Sequence, residues 1–383
     1  MNKSVELLTN EGVDAFRRGD FLAARGSFEA AANARPNAQL WMYLAQTCAK
    51  TGDPAAQQAA LDRLLGAEPR NLHGLIARAD LAHQHGDERA ATAFYNMALT
   101  SASQLSSLPP GIDAGLRRAE AAIAASADLF EQHLIASLAK AGIDGASVNP
   151  RFAEALDISS GRKSVFYQEP TSFYYPGLPN RQFYDTAMFD WVHGLEAAAP
   201  AMRAEAEAVL NSGQGLTPYV ESDYSRPNKG HSLLDSSDWS AFYFLKNGAL
   251  VADNAARCPL TAAALEGAPI PHIAGRSPMA LYSVLKPKTH IPPHCGMLNT
   301  RLICHIPLIV PQNCRLRVGN EIRLVEFGKA LIFDDSIEHE AWNDSDETRL
   351  ILLFEIWRPE LDQGEQIALT AMFESIEGFG SQA

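Results

Sequence analysis

The chain has 383 residues, 46% of them hydrophobic and 20% charged, with a formal net charge of −13. That length exceeds one ordinary core and implies two domains, and the composition is that of a folded protein rather than a disordered one. The acidic balance disfavours a nucleic-acid partner or an anionic membrane surface, since both call for clustered Lys and Arg.

The opening residues, MNKSVELLTNEGVDAFRRGD, hold no uninterrupted apolar core, so no secretory signal is expected. No apolar run approaches the ~20 residues needed to cross a bilayer. Five cysteines (Cys48, Cys258, Cys295, Cys304, Cys314) lack paired spacing. They read as reduced, mostly buried thiols of a cytoplasmic protein, not as a zinc cluster.

A repeat organises the first third. Gly19-Asp20 recurs as Gly52-Asp53 and Gly86-Asp87, at steps of 33 and 34 residues, and Pro36 and Pro69 are 33 apart. Ala-rich amphipathic stretches such as FLAARGSFEAAANA and QLWMYLAQTCAK lie between these marks. Each unit reads as helix, Gly-Asp turn, helix, Pro-Asn turn, with Gly reversing the chain and small residues allowing close packing. The pattern resembles tetratricopeptide repeats over about residues 5–105. Such units stack into a solenoid, whose groove serves a peptide or partner protein, or which acts as a spacer or dimerisation surface. SASQLSSLPPG is a break, a helix is expected from Leu116 to Leu138, and AGIDGASVNP is a second break. The domains expected are a helical unit over 1–145 and a second unit over 146–383.

Beyond Tyr167 the chain becomes aromatic- and Pro-rich. FDWVHGLEAAAPAMRAEAEAVL and CPLTAAALEG have helical character and suit a buttress. From Ala280 onward ALYSVL, RLICHIPLIV, CRLRVG, EIRLVEF, KALIFDD and RLILLFEIW read as short strands of a sandwich or jelly roll.

His294 follows a Pro pair in THIPPHCG, and His339 lies in FDDSIEHEAWND. Either alone is weak evidence, because most of the 11 histidines serve the surface or the core. His339 and Arg349 are centred on Asp344 in NDSDE, so a symmetric hairpin would set them opposite each other. A cation beside a metal-bound histidine suits a dianion that chelates the metal and reaches onward. In RLICHIP, alternation puts Arg301, Ile303 and His305 on one face. An inward face with that content needs an anion; otherwise the face is solvent-exposed and idle.

SVLKPKTHIPPHCGMLNTRLICHIPLIVP and GKALIFDDSIEHEAWNDSDETRLILLFEIWRPEL resemble the catalytic core of the aspartyl/asparaginyl β-hydroxylase family. The likeness spans about residues 165–360, is densest from Ser283 to Pro359, and includes YYPGLP and NAARCPLTAAALE upstream. It implies a double-stranded β-helix (jelly-roll, cupin-like) domain using Fe(II), 2-oxoglutarate and O₂. Animal members likewise carry tetratricopeptide-like repeats before the oxygenase domain. The resemblance makes His294 and His339 the iron ligands, Arg349 and Ser283 the hold on the distal carboxylate of 2-oxoglutarate, and His305 a neighbour of its chelating end. The third-ligand position of the usual two-histidine, one-carboxylate triad is Gly296, a glycine the animal enzymes share, so two protein ligands are implied.

Ile303 and Leu281 stand where the animal enzymes carry arginine and lysine, which puts an acidic substrate in doubt. Arg301 remains a candidate to bind an anionic or amide group of cosubstrate or substrate, or else to pair with Asp334 or Asp335. His290 matches no ligand position, and the FDDS acids are expected to brace His339. The reaction implied is hydroxylation of an unactivated carbon, first of all in an Asp- or Asn-like residue of a peptide or protein. The alternatives are a small molecule, a carrier-bound amino acid or an acyl chain. A catalytically silent repeat-based binding protein and a cupin-like enzyme of another metal are the rival classes. Substrate, groove ligand and oligomeric state stay open.

Overall fold

Each Gly-Asp pair closes one helix and opens the next. The computed structural model describes residues 3–143, 149–222 and 232–379. Its first helices are α1 (Val5–Arg17), α2 (Phe21–Ala34), α3 (Ala38–Thr51), α4 (Pro54–Ala67), α5 (Leu72–Gln84) and α6 (Glu88–Ser103). Gly19, Gly52 and Gly86 adopt φ of 80°, 70° and 73°, the left-handed region that favours a residue without a Cβ. The following aspartate does two things. Its N–H returns to the helix just ended (Asp20 to Ala15 O 2.9 Å, Asp53 to Cys48 O 3.0 Å, Asp87 to Ala82 O 3.0 Å). Its carboxylate accepts from the first turn of the next helix, at 3.1, 3.0 and 3.0 Å. Asn37 and Asn71 cap α3 and α5 in the same way. Ala24, Phe28, Leu40, Leu44, Leu61 and Leu64 form the core between these helices.

A longer helix, α7 (Asp113–Lys140), and α8 (Pro150–Ser159) follow. The two compact units are Met1–Lys163 and Ser164–Ala383. The boundary expected at 145–146 lies outside the described residues. Arg162 pairs with Asp157 at 2.5 Å and with Glu131 of α7, which keeps the segment after α8 with the helices.

In the second unit the strands are β1 (Phe183–Tyr184), β2 (Thr217–Pro218), β3 (Trp239–Lys246), β4 (Ala249–Leu250), β5 (Ala280–Leu285) and β6 (Thr289–His294). Then come β7 (Arg301–Ile309), β8 (Cys314–Val318), β9 (Glu321–Leu324), β10 (Leu331–Phe333), β11 (His339–Asn343) and β12 (Arg349–Trp357). They form two antiparallel sheets, one ordered β1-β10-β7-β12-β5-β3-β2 with β4 on β3, the other β6-β11-β8-β9. β6 carries Pro292 and Pro293 because it is an edge strand, where a missing N–H breaks no ladder.

Helices α9 (Val192–Ser212), α10 (Ala252–Arg257) and α11 (Pro259–Leu265) belong to this unit. Leu195, Ala199 and Met202 of α9 and Leu265 of α11 pack on Tyr282, Ile306 and Leu352, covering the outer face of the larger sheet. Its inner face meets the smaller sheet through Trp239, Leu281, Ile303, Leu316, Phe333 and Ile351. Strict alternation in β7 sends Leu302, Cys304 and Ile306 to the helices and Arg301, Ile303 and His305 inward. A final helix, α12 (Gln363–Gly378), starts with a capping box between Asp362 and Glu365 and packs Leu369 and Phe373 on Phe173 and Leu298. The five cysteines are free thiols. Among the described residues no helix is long and apolar enough to cross a membrane.

Candidate functional site

A cavity of about 550 Å³ lies between the sheets, lined by His294, His339, His305, Arg301, Arg349 and Ser283 among apolar side chains. His294 ends β6, His339 begins β11, and the register sets them opposite each other with ring centroids 4.1 Å apart. Each Nδ1 lies against a backbone carbonyl, Pro292 O at 2.8 Å and Ile337 O at 3.0 Å. A carbonyl only accepts, so Nδ1 carries the hydrogen and the lone pair falls on Nε2, the tautomer of a metal-binding imidazole. Burial, with His294 alongside, pushes His339 down to about 3, so its ring is neutral. Two imidazoles at this separation suit a divalent transition metal. Among the described residues no group of three or more His, Cys, Asp or Glu side chains is arranged to hold a metal. The donor set offered is therefore a pair.

Gly296 explains the missing third side chain. A Cβ there would overlap the Asp335 carboxylate, and the Gly296 N–H donates to Asp335 O at 2.6 Å. The space is thus occupied by a carboxylate from another loop. Burial raises Asp335 to about 6, against the pull of Arg301, and its Oδ1 has no hydrogen-bond partner. Asp334 braces the same loop: it accepts from Ser336 N–H at 3.0 Å, Arg358 at 2.7 Å and Gln168 at 2.6 Å.

Across the cavity, Arg349 is 1% exposed. Its Nε has no partner, no carboxylate pairs with it among the described residues, and burial pushes it down to about 10. A buried, unpaired guanidinium costs several kcal/mol unless an anion meets it, so this arrangement suits an anion. Ser283 is paired with Ile351, two residues from Arg349, and so shares its face. The Trp239 indole N–H donates to Ser283 Oγ at 3.0 Å, which leaves the hydroxyl hydrogen to be donated onward. His305, packed edge-on to Phe333 at 4.9 Å, is held well below the usual histidine range by burial, then by Arg349 and His339.

The expected hairpin between His339 and Arg349 does not form. His339 pairs with His294 and Val318 in the smaller sheet, whereas Arg349 pairs with Leu285 in the larger one. Buried Asn343 sits at the crossing. Its side-chain amide donates to Leu285 O, Lys286 O and Glu347 O at 2.9, 3.0 and 2.8 Å, tying the end of β11 to the end of β5. The two residues still line one cavity, facing it from different sheets.

Of the two roles expected for Arg301, the ion pair with Asp335 is the one the structure shows, and Glu355 joins it. The main partner of Arg301 is Glu355, with Asp335 at 3.6 Å, so it is not an uncommitted anion binder. Glu355, Trp239 and Asn343 are site residues that motif spacing missed. A lone Glu within LLFEIW, and the aromatic run WSAFYF, were the available signals. His290 stacks on Trp342 and bonds Glu340 at 2.7 Å, away from the cavity lining. A second cavity of about 640 Å³, in the first unit, is walled by Leu134, Ile135, Leu138 and Leu156 and has no histidine or cysteine.

Residues 196–359 match the family model described as Aspartyl/Asparaginyl beta-hydroxylase. The ornithine lipid ester-linked acyl 2-hydroxylase of Rhizobium tropici is 36% identical over 198 residues, 51% of this chain and 67% of that protein. The aspartyl/asparaginyl beta-hydroxylase of Homo sapiens is 35% identical over 190 residues, 49% of this chain and 24% of its own. The chain thus spans about a quarter of the human protein's length. Among solved structures, the first TPR of Spaghetti (RPAP3) aligns with 32% of this chain and 96% of its own, at 15% identity and a TM-score of 0.28.

Proposed function

Because the chain belongs to the aspartyl/asparaginyl beta-hydroxylase family, we propose that its second unit is an Fe(II)- and 2-oxoglutarate-dependent dioxygenase that hydroxylates an unactivated carbon. The observation that carries this reading is Arg349, a buried guanidinium with no carboxylate partner among the described residues, in the same cavity as the paired histidines. A metal alone would leave that charge unanswered. A dicarboxylate that chelates at one end and reaches Arg349 at the other answers it.

In this reading His294 and His339 hold Fe(II) through Nε2, Arg349 and the Ser283 hydroxyl hold the distal carboxylate, and neutral His305 lies by the chelating end. The two facing sheets are then a double-stranded β-helix. Bound Fe(II) supplies the redox chemistry by which R–H, O₂ and 2-oxoglutarate give R–OH, succinate and CO₂. The protein's own share is to orient the dianion, to keep water out with an apolar lining, and to keep the buried His339 imidazole neutral. A silent scaffold or a cupin-like enzyme without 2-oxoglutarate gives Arg349 no anion. The names of the relatives point to aspartyl or asparaginyl residues and to an ester-linked acyl chain, and both are unactivated C–H targets.

Anaerobically purified protein loaded with Fe(II) is expected to bind 2-oxoglutarate and to form succinate once O₂ is admitted. Arg349→Ala is expected to weaken 2-oxoglutarate binding on the order of 100-fold, with metal affinity changed less than about threefold. Wild-type protein that neither binds 2-oxoglutarate nor yields succinate would sink the proposal. Equal loss of both affinities in the variant would assign Arg349 to folding instead.

A further inference from the structure

The two guanidinium groups of the cavity are committed differently. Arg349 has no acidic partner among the described residues, whereas Arg301 is bound to Glu355 and lies 3.6 Å from Asp335. Glu355 is 0% exposed. Ser277 donates to it through its hydroxyl, and the Met279 N–H donates at 2.9 Å. It stands on β12 opposite Ile303, one step along the inward face from Arg301. A carboxylate enclosed this fully is tolerable only with a charge to match it, and Arg301 is that charge.

The rest of the lining offers an acidic ligand little. Val220, Met279, Met297, Ile303 and Leu353 are apolar, and Tyr219 stacks on Trp239 at 4.0 Å to form an aromatic wall. Met297, 51% exposed, marks the mouth. The carboxylates Glu221 and Asp335 also line the cavity, and Lys246 already pairs with Glu221 at 3.0 Å. Once the cosubstrate takes Arg349, no cation among the described lining residues is left for a substrate carboxylate.

Resting on the function proposed above, we propose that the group presented for hydroxylation is an uncharged aliphatic one, and that Glu355 determines this by neutralising Arg301. A substrate carboxylate entering here would lose its hydration, gain no uncommitted cation, and face two carboxylates. Removing the charge of Glu355 leaves Arg301 only the longer pair with Asp335 at 3.6 Å, and should shift the preference toward the acid.

The test uses the full chain loaded with Mn(II), which keeps 2-oxoglutarate in place without turnover, and reads binding by calorimetry. The probes are two matched pairs. One is N-octanoylglycinamide against the same molecule ending in a carboxylate; the other is acetyl-Gly-norvaline-Gly-amide against acetyl-Gly-Asp-Gly-amide. Wild-type protein is expected to bind the neutral member of at least one pair about tenfold or more tightly than its acidic partner, and the pair that does so tells an acyl chain from a peptide side chain. Glu355→Gln keeps an acceptor for Ser277 and Met279, and it is expected to tighten the acidic member about tenfold or more. The double variant Glu355→Gln/Arg301→Gln removes both charges, so it stays informative where the single variant folds poorly, and it is expected to lose that gain. The proposal is overturned if the wild type binds neither neutral probe, if it binds the acidic probes equally well, or if Glu355→Gln leaves the preference unmoved. A protein that fails to bind 2-oxoglutarate in the same cell refutes the proposed function instead, so the two failures are distinguishable.

Discussion

At Gly296 the volume that a side chain would claim belongs to the carboxylate of Asp335, which reaches in from the loop before β11. Gly296→Ala therefore forces either that carboxylate or the backbone after His294 to move. Overpacking of this kind costs about 1–3 kcal/mol, and the displaced segment carries His294, a proposed metal ligand. The variant is expected to unfold at lower urea concentration and to bind Mn(II) at least about tenfold more weakly, a loss of about 1.4 kcal/mol. Gly296→Ala/Asp335→Gly, which empties the space, should regain at least half of the lost stability. If Gly296→Ala proves as stable and as tight a metal binder as the wild type, the carboxylate does not occupy that space. The glycine itself was legible in the sequence, as a gap in a two-histidine, one-carboxylate pattern. Which carboxylate fills the gap was not, because Asp335 lies 39 residues further on and no local spacing links the two. Arg301 shows the same limit: strand alternation placed it inward, but only the fold of β12 alongside β7 reveals Glu355 as its partner.

Between β11 and β12 the chain leaves one sheet and enters the other, and Asn343 sits at that passage. It is fully buried, and its amide holds three backbone carbonyls while its Oδ1 accepts from the Ser345 hydroxyl at 2.6 Å. Asn343→Ala strips those partners in a place water reaches poorly, at a cost of about 3 kcal/mol or more. His339 stands at the far end of β11 beside His294 of β6, whereas Arg349 begins the strand that follows the crossing. The variant is thus expected to lose 2-oxoglutarate affinity at least about tenfold, with Mn(II) affinity within about threefold, the 1.4 kcal/mol between them reflecting a shifted β12. Equal loss of both in calorimetric titrations would mean that Asn343 serves the whole sheet pair instead. A hairpin was the natural reading of NDSDE because turn chemistry is local, while the choice between reversing and crossing rests on a nonlocal bond from Asn343 to β5. The Gly-Asp turns show the opposite case. Everything they need, a left-handed glycine, an N–H reaching back five residues and a carboxylate reaching forward three, lies within one stretch of chain, and the helices followed from it directly.

Taken whole, the molecule consists of two units with separate cores, and Arg349 and the histidine pair both lie in Ser164–Ala383. Linkage turns this into a measurement. A ligand that binds only the folded state adds about 2.7 kcal/mol when its free concentration is 100 times its dissociation constant. For a unit of this size that raises the midpoint by roughly 5–10 °C. In scanning calorimetry of the full chain, Mn(II) with 2-oxoglutarate is expected to raise the transition that the excised 164–383 piece also shows. The transition matched by the excised 1–163 piece should stay within about 1 °C, because its stability has no term in either ligand. Arg349→Ala should keep the increment due to Mn(II) and lose the one due to 2-oxoglutarate, since the histidines proposed to take the metal lie on β6 and β11 and the guanidinium on β12. A rise in the first-unit transition equal to that of the second would place a binding site among the helices. An unchanged second transition with both ligands at saturating concentration would mean that the cavity between the sheets binds neither of them.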